Sequence, residues 1–192
     1  MSARSALKYI SDLHKRQRDP AQWPDFLTGL PDRYAVLRAI DDAYSQLDKK
    51  SITYLRIANI HPYLLKYGTE RHIPIIEWCA AILKVAADKY GLFIGAYDTH
   101  DFVAIGDRAK VEAFIAEASS EFEKKALTFY SKEDASREHF LSFRRESEQV
   151  NIGRMKLIHS TVVRASGLPR AQVVLYLSSM CTESESAMSL ES

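Results

Sequence analysis

Two apolar runs, Leu92-Phe93-Ile94-Gly95-Ala96-Tyr97 and Phe102-Val103-Ala104-Ile105, stand four polar residues apart, with helical patterns on both sides. A hairpin set between helices narrows the folds open to the chain: its strands are antiparallel, and the helices beside it cover the sheet. The helix before it starts near Pro74, shows the face Ile76, Cys79, Leu83, Ala86 and Tyr90, and stops at Gly91. Asp107 can cap the helix after it, whose face is Val111, Phe114, Ile115, Ala118 and Phe122. Further upstream, Tyr34, Leu37, Ile40, Tyr44 and Leu47 mark one apolar helical face, and Ile52 to Ala58 reads as a strand. Residues 126 to 163 suggest more strands, the clearest from Met155 to Val163. From Ala171 to Met180 the pattern fits a helix or a strand equally. The order helix, strand, helix, hairpin, helix, strand predicts an α+β domain with a mainly antiparallel sheet.

The ends read differently. Residues 5 to 17 form a short polar helical pattern with Leu7, Ile10 and Leu13 on one side, and Asp19-Pro20 and Trp23-Pro24 break it. The tail from Thr182, rich in Ser and Glu, is expected to be disordered. The predicted division is a lead-in helix and linker over 1–24, one domain over 25–181 and a tail over 182–192. With 192 residues, 46% of them hydrophobic, the chain has enough apolar material for one packed domain. A formal net charge of +1 offers no global attraction to nucleic acid or to an anionic membrane. No apolar run approaches the roughly 20 residues of a membrane span. Cys79 and Cys181 make no disulfide framework, and a cytoplasmic protein is the default expectation.

Asp25-Phe26-Leu27-Thr28-Gly29-Leu30-Pro31-Asp32-Arg33 resembles the D-x-L-T-G-L-P-N-R opening of GGDEF domains, the diguanylate cyclase family, with Asp32 where Asn is usual. Tyr67-Gly68 resembles the tyrosine-glycine after that family's first strand, and Asp101-Phe102-Val103-Ala104-Ile105 the end of its signature strand. Phe129 to Asp134 and the strand from Met155 add a weaker likeness, so the similarity runs from about Asp25 to Val163. The resemblance implies a nucleotide-cyclase-like, ferredoxin-related fold.

It also implies a chemistry whose residues are missing here. A diguanylate cyclase joins two GTP molecules, one on each subunit of a dimer, with divalent metal held by an aspartate on the first strand and an acidic residue in the signature. Aligned back from Tyr67-Gly68, the first position is Arg56 and the second is His100, and residues 51 to 68 contain no Asp or Glu. A guanidinium repels Mg²⁺ by several kcal/mol at short range in a partly desolvated site. The guanine-reading positions are Leu64 and Ile73, and the two signature glycines are Asp98 and Thr99. No Lys or Arg follows Arg170 to meet a phosphate, and the family's R-x-x-D product site falls on Lys89-Tyr90-Gly91-Leu92.

The histidines show no metal-ligand spacing, and no phosphate loop, dinucleotide fingerprint or nucleophile elbow is present. The expectation is therefore a scaffold without catalytic residues, metal or cofactor, in which Arg56 pairs with Asp98 or Asp101 where the metal would sit. The aromatics Tyr63, Tyr67, Tyr90, Phe93 and Tyr97 either fill the core or make a contact surface. The function expected is a noncatalytic bacterial signalling module working through protein contacts, with a homodimer as one form. The alternative is a receptor that binds GTP or a cyclic dinucleotide without turnover.

Overall fold

The computed structural model describes residues 24–145, 148–163 and 167–188, so the expected lead-in helix over 5–17 lies outside the described residues. Helix α1 (Arg33–Tyr44) leads into strand β1 (Lys50–Ala58), and helices α2 (Ile60–Tyr67) and α3 (His72–Tyr90) follow. The hairpin β2 (Phe93–Asp98) and β3 (Asp101–Asp107) comes next, and then helix α4 (Arg108–Leu127). A short helix α5 (Lys132–Ser136), a second hairpin β4 (His139–Arg145) and β5 (Glu148–Gly153), strand β6 (Lys156–Val162) and helix α6 (Val173–Met188) complete the order.

Strands β2, β3, β1 and β6 lie side by side in that order, every neighbouring pair antiparallel. In chain order these four strands and their crossovers read β-α-β-β-α-β, the split arrangement of ferredoxin-like sheets. Strands β4 and β5 pair only with each other. The fold is α+β, as the hairpin between helices predicts.

Alternation along the central strand sorts side chains to two faces. Leu55 and Ile57 join the larger core with Ile76, Leu83, Phe102 and Phe114, under α3 and α4. Ile52 and Tyr54 join a smaller core with Val36, Ile40, Val103 and Leu177, under α1 and α6. The predicted faces of α3 and α4 are buried, except that Tyr90 is half-buried and donates its hydroxyl to Glu117 Oε2 at 2.7 Å. Asp107 precedes α4 but makes no side-chain capping bond, its carboxylate pairing with Lys110 at 3.2 Å instead. The face expected for α1 is rotated. Its buried stripe is Ala35, Val36, Ile40 and Ala43, while Tyr34 is 67% and Leu37 39% exposed. Counting large side chains misses a stripe made partly of alanine, because α1 lies too close to the sheet for bulk along its whole length.

Two further departures concern the C-terminal part. The undecided segment after Pro169 is helix, and α6 runs on through Thr182 to Met188, where a disordered tail was expected. Polar anchors to α6, described below, hold these last turns. The aromatics named from sequence do not line one cleft. Tyr63 is buried and stacks on Tyr67 with centroids 4.7 Å apart, and Tyr130 and Phe140 meet Tyr63 on the larger-core side. Phe93 and Tyr97 belong to the other core.

Gly95 on β2 sits where α1 comes nearest the sheet: a Cβ there would lie 2.4 Å from Val36 Cγ2 and 3.0 Å from the Pro31 carbonyl oxygen. Gly95→Ala is therefore expected to destabilise the domain by about 1–3 kcal/mol through overpacking. Adding Val36→Ala should cost less than the sum of the two single changes, read as chemical-denaturation midpoints of all four proteins.

Candidate functional site

The opening segment folds as a compact loop. Asp25 Oδ1 accepts from Leu27 N at 3.2 Å and from Thr28 N and Thr28 Oγ1, each at 2.8 Å. Gly29 takes a positive φ of 68°, a backbone state that β-carbons disfavour, and its N–H returns to the Asp25 carbonyl at 2.8 Å. That turn aims Leu30 into the larger core, where it is 1% exposed. Pro31 offers its carbonyl to Ala96 N at 2.9 Å, tying the loop to β2. Asp32 caps α1 by accepting from Ala35 N at 2.9 Å, so the carboxylate does the capping work of the usual Asn. Arg33 reaches back over the Tyr97 ring at 4.6 Å and donates to the Tyr97 hydroxyl at 3.1 Å. Between this loop and the β2–β3 turn lies a groove of about 300 Å³, lined by Asp25, Phe26, Arg33, Tyr97 and Thr99 among others.

Arg56 and Asp101 are opposite partners in the β1–β3 ladder. Their side chains meet in two hydrogen bonds, Nε to Oδ1 at 2.8 Å and Nη2 to Oδ2 at 3.1 Å. Both are largely buried, with side chains 12% and 7% exposed. Tyr54, two residues earlier on the same strand face, donates its hydroxyl to Asp101 Oδ2 at 2.7 Å. Burial, and then the bond to Asp101, push the Tyr54 phenol well above its ordinary pKa. The bond to Asp101 raises the Arg56 pKa likewise, against the opposing effect of its burial. Both shifts favour the protonated phenol and the charged guanidinium.

Helix α6 closes over this pair. Arg56 Nη1 donates to Thr182 Oγ1 at 2.8 Å and Nη2 to Ser178 Oγ at 3.1 Å. One turn on, Glu185 Oε1 accepts the backbone N–H of Asn59, at the start of α2, at 2.8 Å. Ser160 Oγ donates to the Leu177 carbonyl at 2.6 Å from β6. Tyr54, Ser178, Thr182 and Glu185 were not among the residues singled out from sequence. Only Tyr54 carried a signal, through its spacing of two from Arg56.

The remaining candidate positions are scattered. Asp98, the last residue of β2, is exposed at the edge of the groove that Arg56 and Asp101 line, and it accepts from Thr99 N at 2.7 Å, not from Arg56. Leu64 packs against the larger core from α2, and Ile73 is 53% exposed at the start of α3. His100 meets His61 edge-on with ring centroids 5.1 Å apart, and its carbonyl accepts Ile57 N at 3.2 Å. The donors at the centre do not fit Mg²⁺. Among the described residues Asp101 is the carboxylate hydrogen-bonded to Arg56, and both its oxygens are engaged by Arg56 and Tyr54. Among the described residues no three His, Cys, Asp or Glu side chains are grouped to hold a metal ion. Beside the pair, α1 and α6 bound a groove of about 380 Å³ floored by Tyr54, Arg56 and Asp101, with the exposed Arg170–Asp41 ion pair (3.1 Å) along its lining.

Truncating Arg56 to alanine should cost about 3–5 kcal/mol, because Asp101 is left charged and buried. An Arg56→Met, Asp101→Leu double variant should fall far short of that loss, and paired denaturation curves check both. A pH dependence follows from His100 and His72. Burial pulls both imidazoles below the ordinary range; at His100 the Asp101 charge pulls the opposite way, and at His72 the neighbouring His61 adds to the shift. Folded values below unfolded ones mean that the unfolded chain takes up protons first as pH falls. Stability is then full above the unfolded value, and it declines on acidification from about pH 7.5 to about pH 5.5. His100→Asn should shrink that decline, measured as the difference in unfolding midpoint between the two pH values.

No protein-family model matches the sequence, and no curated protein matches it. Solved structures do. The diguanylate cyclase SiaD of Pseudomonas aeruginosa, in complex with its activator SiaC, aligns over 96% of this chain and 66% of its own, with TM-score 0.57 and 11% identity. The FimX GGDEF domain of Pseudomonas aeruginosa aligns over 84% of this chain and 92% of its own, with TM-score 0.53 and 15% identity. The coiled coil and GGDEF domain of DgcB from Caulobacter crescentus, in complex with c-di-GMP, aligns over 82% and 77%, with TM-score 0.51 and 17% identity. At such identities the likeness is one of fold, and the fold of this chain is that of the GGDEF domains.

Proposed function

We propose that this chain is a noncatalytic GGDEF-like signalling module that works through protein contacts in bacterial cyclic di-GMP-related regulation. The observation that supports the proposal is the buried Arg56–Asp101 pair, since the resemblance aligns Arg56 with the position from which the family supplies a metal-binding carboxylate. A buried carboxylate already satisfied by a guanidinium and a phenol gains nothing from a divalent ion, and the ion would have to displace the arginine. Substrate recognition weakens in parallel, since Leu64 and Ile73 leave a guanine edge without hydrogen-bond partners, at about 1–3 kcal/mol for each unsatisfied group.

The same pair speaks against the receptor alternative. Nε, Nη1 and Nη2 of Arg56 are all directed to Asp101, Ser178 and Thr182, so the guanidinium has an internal partner on every nitrogen. A phosphate at that point would compete with contacts already made inside the chain. Protein contact fits better, and SiaD, which shares the fold, is bound to a protein activator in its structure.

Purified protein incubated with GTP and Mg²⁺ or Mn²⁺ should yield no cyclic di-GMP. Manganese should leave its melting temperature unchanged, and calorimetry against GTP and cyclic di-GMP at millimolar concentration should give no binding heat. Product formation would end the noncatalytic reading. Binding heat without product would replace it with the receptor.

A further inference from the structure

One flank of α3 carries an apolar stripe outside the core. Trp78, Ile82 and Val85 stand four and three residues apart, within about 60° of one another around the helix. Trp78 is 48% and Val85 71% exposed, and Ile82 is half-buried against the larger core. Helix α4 packs beside α3, and the two bound a groove of about 230 Å³ with Ala81, Ala86 and Ala118 in its lining. The charged residues that line it are both acidic, Glu117 and Glu121. Each has a surface partner, Lys89 for Glu117 and Lys124 for Glu121, in solvent-screened contacts that exchange readily. Lys125 stands at one end, its ammonium 3.7 Å from the Trp78 ring centre.

The chain itself holds a segment of matching chemistry. Residues 5–17 repeat Leu7, Ile10 and Leu13 at spacings of three. Residues 1–23 carry the cations Arg4, Lys8, Lys15, Arg16 and Arg18 against the acids Asp12 and Asp19. A helix of about thirteen residues is marginal alone in water, and it forms when its apolar side is covered. The entry point suits the groove. Pro24 pairs with Pro31, and Leu27 and Leu30 nearby reach the larger core, the one under α3 and α4. The described chain therefore begins on the side of the sheet that carries the groove. Residues 18–23 reach about 20 Å when extended, and a helix over 5–17 covers about another 20 Å, against about 28 Å for α3.

We infer that residues 5–17 dock as a helix along the α3–α4 groove of their own domain. Leu7, Ile10 and Leu13 cover Trp78, Ile82 and Val85, and the basic side chains beside that stripe come to Glu117 and Glu121 in place of Lys89 and Lys124. The indole and the aliphatic side chains leave water together, which drives the docking, and the charges set its orientation. The tether makes the contact intramolecular, so a modest apolar surface suffices. The groove lies across the sheet from Arg56, which shares its strand face with Tyr54 of the smaller core, so the docking is independent of the noncatalytic reading.

Trp78 reports the contact once Trp23→Phe leaves it as the one indole of the full chain. Acrylamide should then quench its fluorescence weakly, to the same degree at every protein concentration. Adding Ile10→Asp, a change outside residues 24–188, should roughly double the quenching, because the uncovered groove leaves Trp78 48% exposed. Val85→Glu, at an exposed position, should act in the same way, and both variants should keep the cooperative unfolding transition of the domain. Equal quenching with and without Ile10→Asp would overturn the docking. Protection that appears only as protein concentration rises would overturn it too, by giving the groove to the segment of a second copy. Neither result bears on the cyclase assay, which decides the noncatalytic reading separately.

Discussion

The buried ion pair of Arg56 and Asp101 is the interaction on which the centre of this domain depends. It joins the two central strands at the point where β3 leaves the hairpin turn, and it gives α6 its seat through Ser178 and Thr182. Taking two charges out of water is costly, and their attraction offsets the cost only when the remaining donors and acceptors are also satisfied. Here the Tyr54 hydroxyl and the two α6 hydroxyls complete the set. The pair is best understood as a geometric constraint: it allows one register for the hairpin and one position for the helix above it.

The opening loop shows what each side chain of a short turn can do for the fold. Asp25 and Thr28 satisfy one another and the loop backbone, Gly29 makes the turn, Leu30 fills the core, and Pro31 pairs with β2. Asp32 caps a helix and Arg33 stacks on Tyr97. Each of these tasks belongs to folding, and none requires a nucleotide. None of these contacts involves Arg56 or His100, so the loop and the buried pair are separable in physical terms.

What was legible in the sequence follows from the range of the forces involved. The hairpin, α3 and α4 announce themselves because large apolar side chains recur at the period of the element and all reach one core. The Arg56–Asp101 contact was legible as one of two pairings, and strand register decided it for Asp101 over Asp98. The phase of α1 was not legible, since its contact with the sheet is made by Ala35 and Ala43 as well as by Val36 and Ile40. The last turns of α6 were less legible still. Thr182 to Ser186 reads as a polar tail, and only the distant partners Arg56 and Asn59, more than a hundred residues away, give those side chains a reason to be helical.

Helix α6 joins the buried pair to the outer surface of the domain. Its inner side is fixed by Val173, Leu177 and Cys181 and by the hydroxyls on Arg56, which leaves rotation about its own axis no freedom. The direction of Leu175, Tyr176 and Met180 is set by the same contacts, because 3.6-residue periodicity couples the two sides of a helix rigidly. A carboxylate in place of Arg56 would remove the donors that hold Ser178 and Thr182, and with them part of what fixes the helix. The Arg56 guanidinium thus serves two ends at once, satisfying the buried Asp101 carboxylate and seating α6, so a substitution there is felt at both.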